Sequence, residues 1–295
     1  MHKPIRPRRS VLYMPGSNAR ALEKARSIPA DALILDLEDA VAPDQKATAR
    51  IQVAEAVKAG GYGGRELVIR INALDTPWGA HDLTTAVNAR PDAILVPKVE
   101  TVTDLREVAI KVRAGGHPIA IWAMIETPRA LLRINEIAAC ANNPEIPLTV
   151  FVMGTNDLAK ETRARLVPGR APMLPWLTTT ILAARACGID VIDGVFNDFR
   201  DMAGFRAECE QGRDLGMDGK TLIHPDQVAI ANELFGPSPE EVERARAIIA
   251  AFALPENAGK GAISLDGRMV ELLHAEMARR TVALAEAIRK LEAAA

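Results

Sequence analysis

Short apolar runs alternate with longer stretches of helical periodicity along the first three quarters of the chain. Eight runs are nearly all apolar, which is typical of strands covered on both faces. Helical segments lie between most of them, and several end in glycine, the residue that favours a helix C-terminus. Eight such units predict an α/β fold of the TIM (β/α)8 barrel type, with an open doubly wound sheet as the alternative. The predicted strands are 10–14, 32–37, 66–71, 93–97, 119–125, 148–153, 190–195 and 220–223, and the main helical segments are 19–28, 47–59, 103–114, 130–141, 174–187 and 199–215.

Polar side chains stand at the C-terminal ends of these predicted strands. In a barrel these ends converge on one face, where active sites form. An open sheet would spread the same side chains along one edge. Because they occur at the ends of nearly all the predicted strands, they favour a closed barrel. The residues concerned are Asp36, Glu38, Asp39, Arg70, Asn72, Lys98, Glu126, Asp157, Asp193 and His224.

The chain continues beyond the eight units. A helix is predicted over 240–253, a glycine-bearing connection over 254–267, and a long helix over 269–294. We therefore predict a barrel domain over 1–235 and a C-terminal helical extension over 236–295. The extension is expected to pack on the barrel or on a neighbouring subunit.

Composition excludes several classes of partner. With 36 basic and 38 acidic residues, the formal net charge is -2, so we expect neither nucleic acid nor an anionic membrane. The three cysteines form no Cys-x-x-Cys pair, which argues against disulfides and a zinc site. The basic segment 1–9 precedes only a short apolar run at 11–14, too brief for a signal peptide or a membrane span. A cytoplasmic protein is the prediction.

Two carboxylates at neighbouring strand ends predict a metal site. Glu126 follows the fifth run and Asp157 lies just after the sixth, with no Cys or His beside them. Such a pair suits Mg2+, with Mn2+ as the alternative, and leaves positions for a substrate. The acidic cluster Asp36, Glu38 and Asp39 would orient metal-bound water by hydrogen bonding to it without contacting the metal. The competing interpretation is that these acids cap helices or pair with nearby cations.

Arg70 ends an otherwise apolar run, where its planar guanidinium can grip a carboxylate or a developing enolate oxygen. A buried arginine needs a partner, so a structural pairing with the acidic cluster is the alternative. Lys98 has the same ambiguity, and we favour a structural role. His224 is equally consistent with a structural role and is left out of the catalytic set.

Glycine-bearing turns follow the first and sixth strands. The first precedes a helix, so its backbone N–H groups, with Arg9, Arg20 and Lys24 nearby, are candidates to receive a phosphate or another anion. Gly154 and Thr155, in the second turn, are candidate substrate contacts. Both turns are also simply good turn and N-cap sequences.

Eight motifs in this order resemble the HpcH/HpaI aldolase and citrate lyase beta-subunit family, in particular its CoA-ester lyase branch. They are RSVLYMPG (9–16), DLEDA (36–40), RIN (70–72), TPWG (76–79), VPK (96–98), IETP (125–128), GTND (154–157) and IHP (223–225). The resemblance runs from about residue 8 to about residue 285 and is specific for the family but not for the substrate.

The resemblance implies that Glu126 and Asp157 bind Mg2+ and that Arg70 binds the 2-oxoacid and its reacting oxygen. It implies that Arg9 with Arg20 or Lys24 holds the CoA portion. Family members are barrels that form homotrimers or hexamers, with the C-terminal segment over a neighbour's site.

The C-terminal segment departs from the family pattern. Relatives with lyase activity carry Met-Ile-Asp and then a proline two residues later, and that aspartate serves as acid/base across the subunit boundary. Here Glu271 stands at the aspartate position and Leu273 at the proline position. Either Glu271 reaches an equivalent point, or the substrate and step have changed. Asp266 is a substitute candidate, although an aspartate before glycine more often marks a turn.

These observations predict a Mg2+-dependent carbon–carbon lyase. It would cleave a 3-hydroxyacyl-CoA thioester of the malyl-, citramalyl- or citryl-CoA type into a 2-oxoacid and an acyl-CoA by reversible Claisen-type cleavage. Arg70 would stabilise the developing charge and Glu271 would exchange the proton. The alternatives are a malyl-CoA-type thioesterase, a citrate lyase beta-like subunit that needs an acyl-carrier partner, and a metal-dependent 2-oxoacid aldolase.

Overall fold

Eight parallel strands close into a barrel in sequence order, which confirms the predicted fold class. The computed structural model describes residues 5–294; the first four residues of the predicted basic segment, and Ala295, lie outside this range. Each strand lies within two residues of its predicted bounds. The strands are β1 Ser10–Pro15, β2 Ala32–Asp36, β3 Glu66–Arg70, β4 Ala93–Val96, β5 Ala120–Ile125, β6 Leu148–Met153, β7 Asp190–Asp193 and β8 Gly219–Leu222.

Helices surround the barrel. Three that the periodicity did not single out follow β3, β6 and β8: they are α3 (Gly79–Ala89), α7 (Thr155–Thr162) and α10 (Val228–Phe235). The barrel helices are α1 Ala19–Lys24, α2 Lys46–Ala59, α3 Gly79–Ala89, α4 Val102–Ala114, α5 Pro128–Leu132, α6 Ile134–Ala139, α7 Thr155–Thr162, α8 Leu174–Ala186, α9 Met202–Leu215 and α10 Val228–Phe235. None of the helices in the described range is both long and apolar enough to cross a bilayer.

Alternate residues of each strand fill the barrel interior, and the others pack against the helices. The interior cluster includes Ile34 of β2, Val68 of β3, Trp122 of β5 and Val152 of β6. Because the side-chain period of a strand is two, the next inward positions beyond these are the ones that face the C-terminal mouth. Whether a residue occupies an inward or an outward position therefore decides which polar residues at the strand ends can meet in one site.

The N-terminal end of the barrel is closed by an ion cluster. Arg8 donates two hydrogen bonds to Glu66, at 2.6 and 2.9 Å, and one to Asp190 at 2.5 Å. Its guanidinium also lies over the Trp122 ring, 5.3 Å from the centroid. A site inside this barrel is therefore reached from the opposite, C-terminal end.

The C-terminal segment forms α11 (Pro239–Ala253), a hairpin of β9 (Ala262–Leu265) and β10 (Arg268–Glu271), and α12 (Leu272–Ala293). The hairpin was not predicted: it occupies the expected glycine-bearing connection and the start of the expected long helix. Asp266 and Gly267 form its turn, both with positive φ (52° and 73°), which among two-residue hairpin turns is the requirement of type I′. Ile248, Ile263 and Val270 bury one another in a small core of their own.

Candidate active site

Arg70 and Asp36 end adjacent strands in register with each other. Arg70 Nε and Nη2 donate to the two carboxylate oxygens of Asp36, each at 2.6 Å. Its remaining nitrogen, Nη1, lies 2.9 Å from Glu38 Oε2 and 3.3 Å from Asp39 Oδ2. The guanidinium carbon also lies 4.7 Å from the centroid of the Tyr13 ring. The structural partner that a buried arginine needs is thus present, and it comes from the predicted acidic cluster.

The charge of Arg70 is strongly favoured in this setting. Burial alone would lower the pKa of Arg70, but Asp36, Tyr13 and Glu38 raise it well above its ordinary value. Both oxygens of Asp36 are occupied, because they also accept the backbone N–H groups of Glu38 and Ala40 at 2.9 and 3.0 Å. Asp36 therefore acts as the anchor of Arg70 rather than as a free acid.

Glu126 and Asp157 converge on one cation, the ammonium of Lys98. Glu126 directly follows β5 and is only 2% exposed, whereas Asp157 lies in the first turn of α7. Lys98 Nζ donates to Asp157 Oδ1 and lies 3.7 Å from Glu126 Oε1. The Lys98 backbone N–H donates to the same Glu126 oxygen at 2.7 Å. The two acids singled out in the sequence are therefore close enough to share a single positive ion.

Two local features make this convergence possible. Lys98 has a φ of 51°, an uncommon left-handed conformation for a side-chain-bearing residue and one that clusters at functional sites. Gly154 lies against Glu126: a Cβ at this position would be 2.3 Å from Glu126 Cβ and 2.7 Å from Oε2. Gly154 is thus required for space, whatever contact it makes with a substrate.

The arrangement fits a divalent cation held by two carboxylates. Burial raises the pKa of Glu126, with Lys98 opposing the rise and Asp157 adding to it. No group of three or more His, Cys, Asp or Glu side chains within residues 5–294 is placed to hold a metal. Glu126 and Asp157 are two carboxylates that could hold a divalent cation, and two protein ligands would leave coordination positions open to a substrate.

Comparison with known proteins gives the family. Residues 9–225 match the HpcH/HpaI aldolase/citrate lyase family. The chain belongs to this family. It is thus an enzyme of the group of CoA-ester lyases and thioesterases, and the resemblance found in the sequence is confirmed.

Three relatives of this HpcH/HpaI family member are informative. It is 52% identical to a (3S)-malyl-CoA thioesterase of Cereibacter sphaeroides (strain KD131 / KCTC 12085), over 97% of this chain and 98% of that protein. It is 37% identical to an L-malyl-CoA/beta-methylmalyl-CoA lyase of the same species (strain ATCC 17025), over 97% and 96% of the two chains. The crystal structure of CitE from Mycobacterium tuberculosis in complex with magnesium, acetoacetate and coenzyme A is similar with a TM-score of 0.73 at 29% identity, covering 92% of this chain and 97% of that one.

These relatives correct the expected reaction. The sequence predicted a carbon–carbon lyase, yet thioesterases from four strains are 49 to 52% identical over nearly the full length, against 37% for the lyase. The lyase prediction is therefore wrong, and the thioesterase alternative is the better supported one. The eight motifs are specific for the family and did not separate the two reactions.

The structure separates the three predicted CoA-binding cations of this family member. Arg20 and Lys24 are exposed on α1, the helix that begins after the C-terminal end of β1. Arg9 precedes β1, at the opposite end, where Nε and Nη2 donate to the Asp31 carboxylate, each at 2.9 Å. This corrects the grouping: Arg9 is buried and already paired, and it does not reach the mouth of the barrel.

Glu271 and Thr155 are also engaged locally. Glu271 ends β10 and caps α12: its side chain accepts a backbone N–H of the first turn, and its own N–H donates to His274 Nδ1 at 2.9 Å. No hydrogen bond or ion pair among residues 5–294 joins Glu271 to Glu126 or Arg70. Its role at a neighbour's site stays a prediction. Thr155 is buried, with Oγ1 packed against Gly194.

Sequence reasoning missed a buried network beside the site. Lys46, on α2, donates to the carbonyl oxygens of Leu37 and Glu38 at 2.9 and 2.8 Å and to Asn72 Oδ1 at 2.7 Å. Asn72 in turn donates to Asp82 Oδ2 at 2.6 Å. The network fixes the loops after β2 and β3, and so supports the acidic cluster. A lysine at the start of a helix gives no sequence signal that it turns inward.

Lys98→Met is expected to tighten Mg2+ binding about tenfold. The ammonium competes with a divalent cation for Glu126 and Asp157, and removing it leaves two unneutralised carboxylates facing each other. Isothermal titration of the protein with MgCl2 at pH 8 measures the affinity. Lys160→Met removes an exposed lysine from α7, the helix that carries Asp157, and should leave the affinity unchanged. Equal or weaker binding in Lys98→Met would contradict the competition.

Proposed function

We propose that the protein is a Mg2+-dependent thioesterase that hydrolyses a CoA thioester of the (3S)-malyl-CoA type, releasing free CoA and the hydroxydicarboxylic acid. The observation that carries the proposal is the 52% identity with a (3S)-malyl-CoA thioesterase over 97% of the chain. The convergence of Glu126 and Asp157 on one cation supports it, because the acids expected to bind the metal already meet.

The proposed chemistry uses the residues at the mouth of the barrel. A Mg2+ ion held by Glu126 and Asp157 would polarise the substrate's oxygen atoms and neutralise developing negative charge. Arg70, fixed by Asp36, is proposed to hold the substrate carboxylate or carbonyl oxygen from the other side. Arg20 and Lys24, exposed on the helix after β1, are proposed to contact the phosphates of CoA. Gly154 and Thr155 remain proposed substrate contacts through the backbone of their turn.

The assembly is part of the proposal. We infer a homotrimer or hexamer in which the segment 236–295 packs on a neighbouring subunit, with residues 1–235 as the barrel domain. The proposed setting is the cytoplasm, without nucleic acid or membrane partners. In such an assembly Glu271 would enter the site of the adjacent chain, as the family resemblance implies.

The products formed from (3S)-malyl-CoA test the function. The purified protein is incubated with the thioester and MgCl2, free thiol is followed with a disulfide dye, and 2-oxoacid and acetyl-CoA are quantified by chromatography. We expect one free CoA per substrate consumed, no 2-oxoacid, and loss of activity after chelation. Equimolar 2-oxoacid and acetyl-CoA would contradict hydrolysis. Activity that needs an added acyl-carrier protein, or that ignores the CoA portion, would also contradict it.

A further inference from the structure

Hydrolysis of a thioester needs a group that takes a proton from the attacking water. Three carboxylates surround Arg70, but two of them are unsuited. Asp36 has both oxygens bonded to Arg70, and the side chain of Asp39 is 74% exposed. Glu126 and Asp157 face the shared cation. Glu271, which would come from an adjacent chain, caps α12 with its side chain. The remaining acid at this end of the barrel is Glu38.

Glu38 is partly buried and only partly engaged. Its side chain is 16% exposed, and Oε2 lies 2.9 Å from Arg70 Nη1. Its other oxygen, Oε1, has no hydrogen-bond partner within residues 5–294 and is not sealed from solvent. One oxygen is therefore held in place while the other can meet a water molecule.

The backbone of Glu38 is fixed from both sides. Its N–H donates to Asp36 Oδ1 at 2.9 Å, and its carbonyl oxygen accepts from Lys46 Nζ at 2.8 Å. A side chain on a backbone held in this way loses little further freedom when it takes up a reactive geometry. The network that supports the acidic cluster thus fixes this residue in particular.

The surroundings also make Glu38 a better proton acceptor than an ordinary carboxylate. Burial raises the pKa of Glu38 to about 8, while Arg70 opposes the rise and Asp39, Glu126 and Asp36 add to it. A base with a pKa near the working pH is unprotonated in a useful fraction of the molecules and still has enough affinity for the proton to remove it from water. Three other charged or titratable side chains interact electrostatically with Glu38: Tyr13, Lys46 and Lys98.

We propose that Glu38 is the general base of the hydrolysis, an inference that rests on the proposed thioesterase function. The water oxygen forms a bond to the thioester carbonyl carbon as Glu38 removes one of its protons. The carbon–sulfur bond then breaks, and the sulfur leaves with the bonding electron pair. Glu38 returns the proton to that sulfur, so that one thioester and one water give one acid and one thiol.

Glu38→Gln tests the assignment because it keeps the size of the side chain and removes its basicity. We expect kcat for CoA release to fall by about 10²- to 10⁴-fold, with KM and the Mg2+ affinity changed less than threefold. Glu55→Gln removes an exposed glutamate from α2, in the same β/α unit, and should match the wild type. Formate should restore part of the activity of Glu38→Ala but not that of Glu126→Gln.

The outcomes separate this inference from the proposed function. If the wild type releases CoA and Glu38→Gln does so within threefold of the same rate, Glu38 is not the base and the function stands. If Glu38→Gln loses Mg2+ binding or folding together with kcat, the residue is structural and the inference is overturned. If the wild type releases no CoA, the proposed function itself fails.

Discussion

A Glu126→Gln variant is expected to lose Mg2+-dependent thioester hydrolysis by on the order of 10³-fold while folding as well as the wild type. Glutamine keeps an oxygen that can accept the Lys98 N–H but removes the negative charge that a divalent cation needs. Folding should not suffer, because burial raises the pKa of Glu126 in the folded protein. Ionised Glu126 therefore costs stability above its unfolded pKa, and the amide removes that cost.

Three measurements test this expectation together. Steady-state release of CoA gives kcat, titration with MgCl2 gives the metal affinity, and thermal unfolding without metal gives the stability. Glu136→Gln is the matched control, because Glu136 is an exposed glutamate on α6, in the same β/α unit as Glu126. Wild-type turnover in Glu126→Gln would refute the assignment of Glu126 as a metal ligand. A large fall in unfolding temperature would show that the carboxylate is needed for the fold.

The barrel could be predicted because its strands are buried on both faces. Such strands appear as near-continuous apolar runs, and each of the eight lies within two residues of its predicted bounds. Of the three helices that escaped detection, α7 lacks an apolar stripe. α7, with the sequence TNDLAKET, buries only Thr155 and Leu158, so it offers no periodic pattern, although it carries Asp157.

The same burial conceals which way each side chain points. Asp36 and Asp193 both end apolar strands, and the sequence placed both on the functional face. In the structure Asp36 faces the interior with Ile34, whereas on β7 it is Ile192 that faces the interior. Asp193 therefore faces the helices, where Arg170 Nη1 donates to its two oxygens at 2.7 and 2.8 Å. Because all positions of these strands are apolar or buried, the sequence shows no alternation of polar and apolar residues that would reveal which positions face the interior.

The pairing at the candidate site depended on tertiary geometry in a similar way. The sequence identified Glu126 and Asp157 from strand ends, and it weighted Lys98 toward a structural role. What it lacked was the left-handed backbone at Lys98, which brings both its N–H and its ammonium to the two acids. The greater similarity to thioesterases was also beyond the motifs, since it is seen only in the identity over the whole chain.

Asp193→Ala is expected to destabilise the fold by about 3–5 kcal/mol, because it leaves buried cations without their shared carboxylate. Lys220 is fully buried, and its Nζ donates to Asp193 Oδ2 at 3.0 Å and to Glu208 Oε1 at 2.7 Å. Arg170 is also buried and loses the carboxylate that accepts from its Nη1. Urea unfolding followed by circular dichroism gives the free energy by linear extrapolation.

A double variant distinguishes an unpaired charge from lost packing. In Asp193→Ala combined with Lys220→Met, one carboxylate and one ammonium leave together, so the loss should be clearly smaller than the sum of the two single losses. Asp214→Ala is the control, because Asp214 is exposed on α9 and, within residues 5–294, forms an ion pair only with its neighbour Arg213, which predicts a change within about 1 kcal/mol. Additive losses in the double variant would show that the two charges do not depend on each other. Coupled losses would identify the outward-facing Asp193 as a determinant of stability in the helix layer, separate from the chemistry at the barrel mouth.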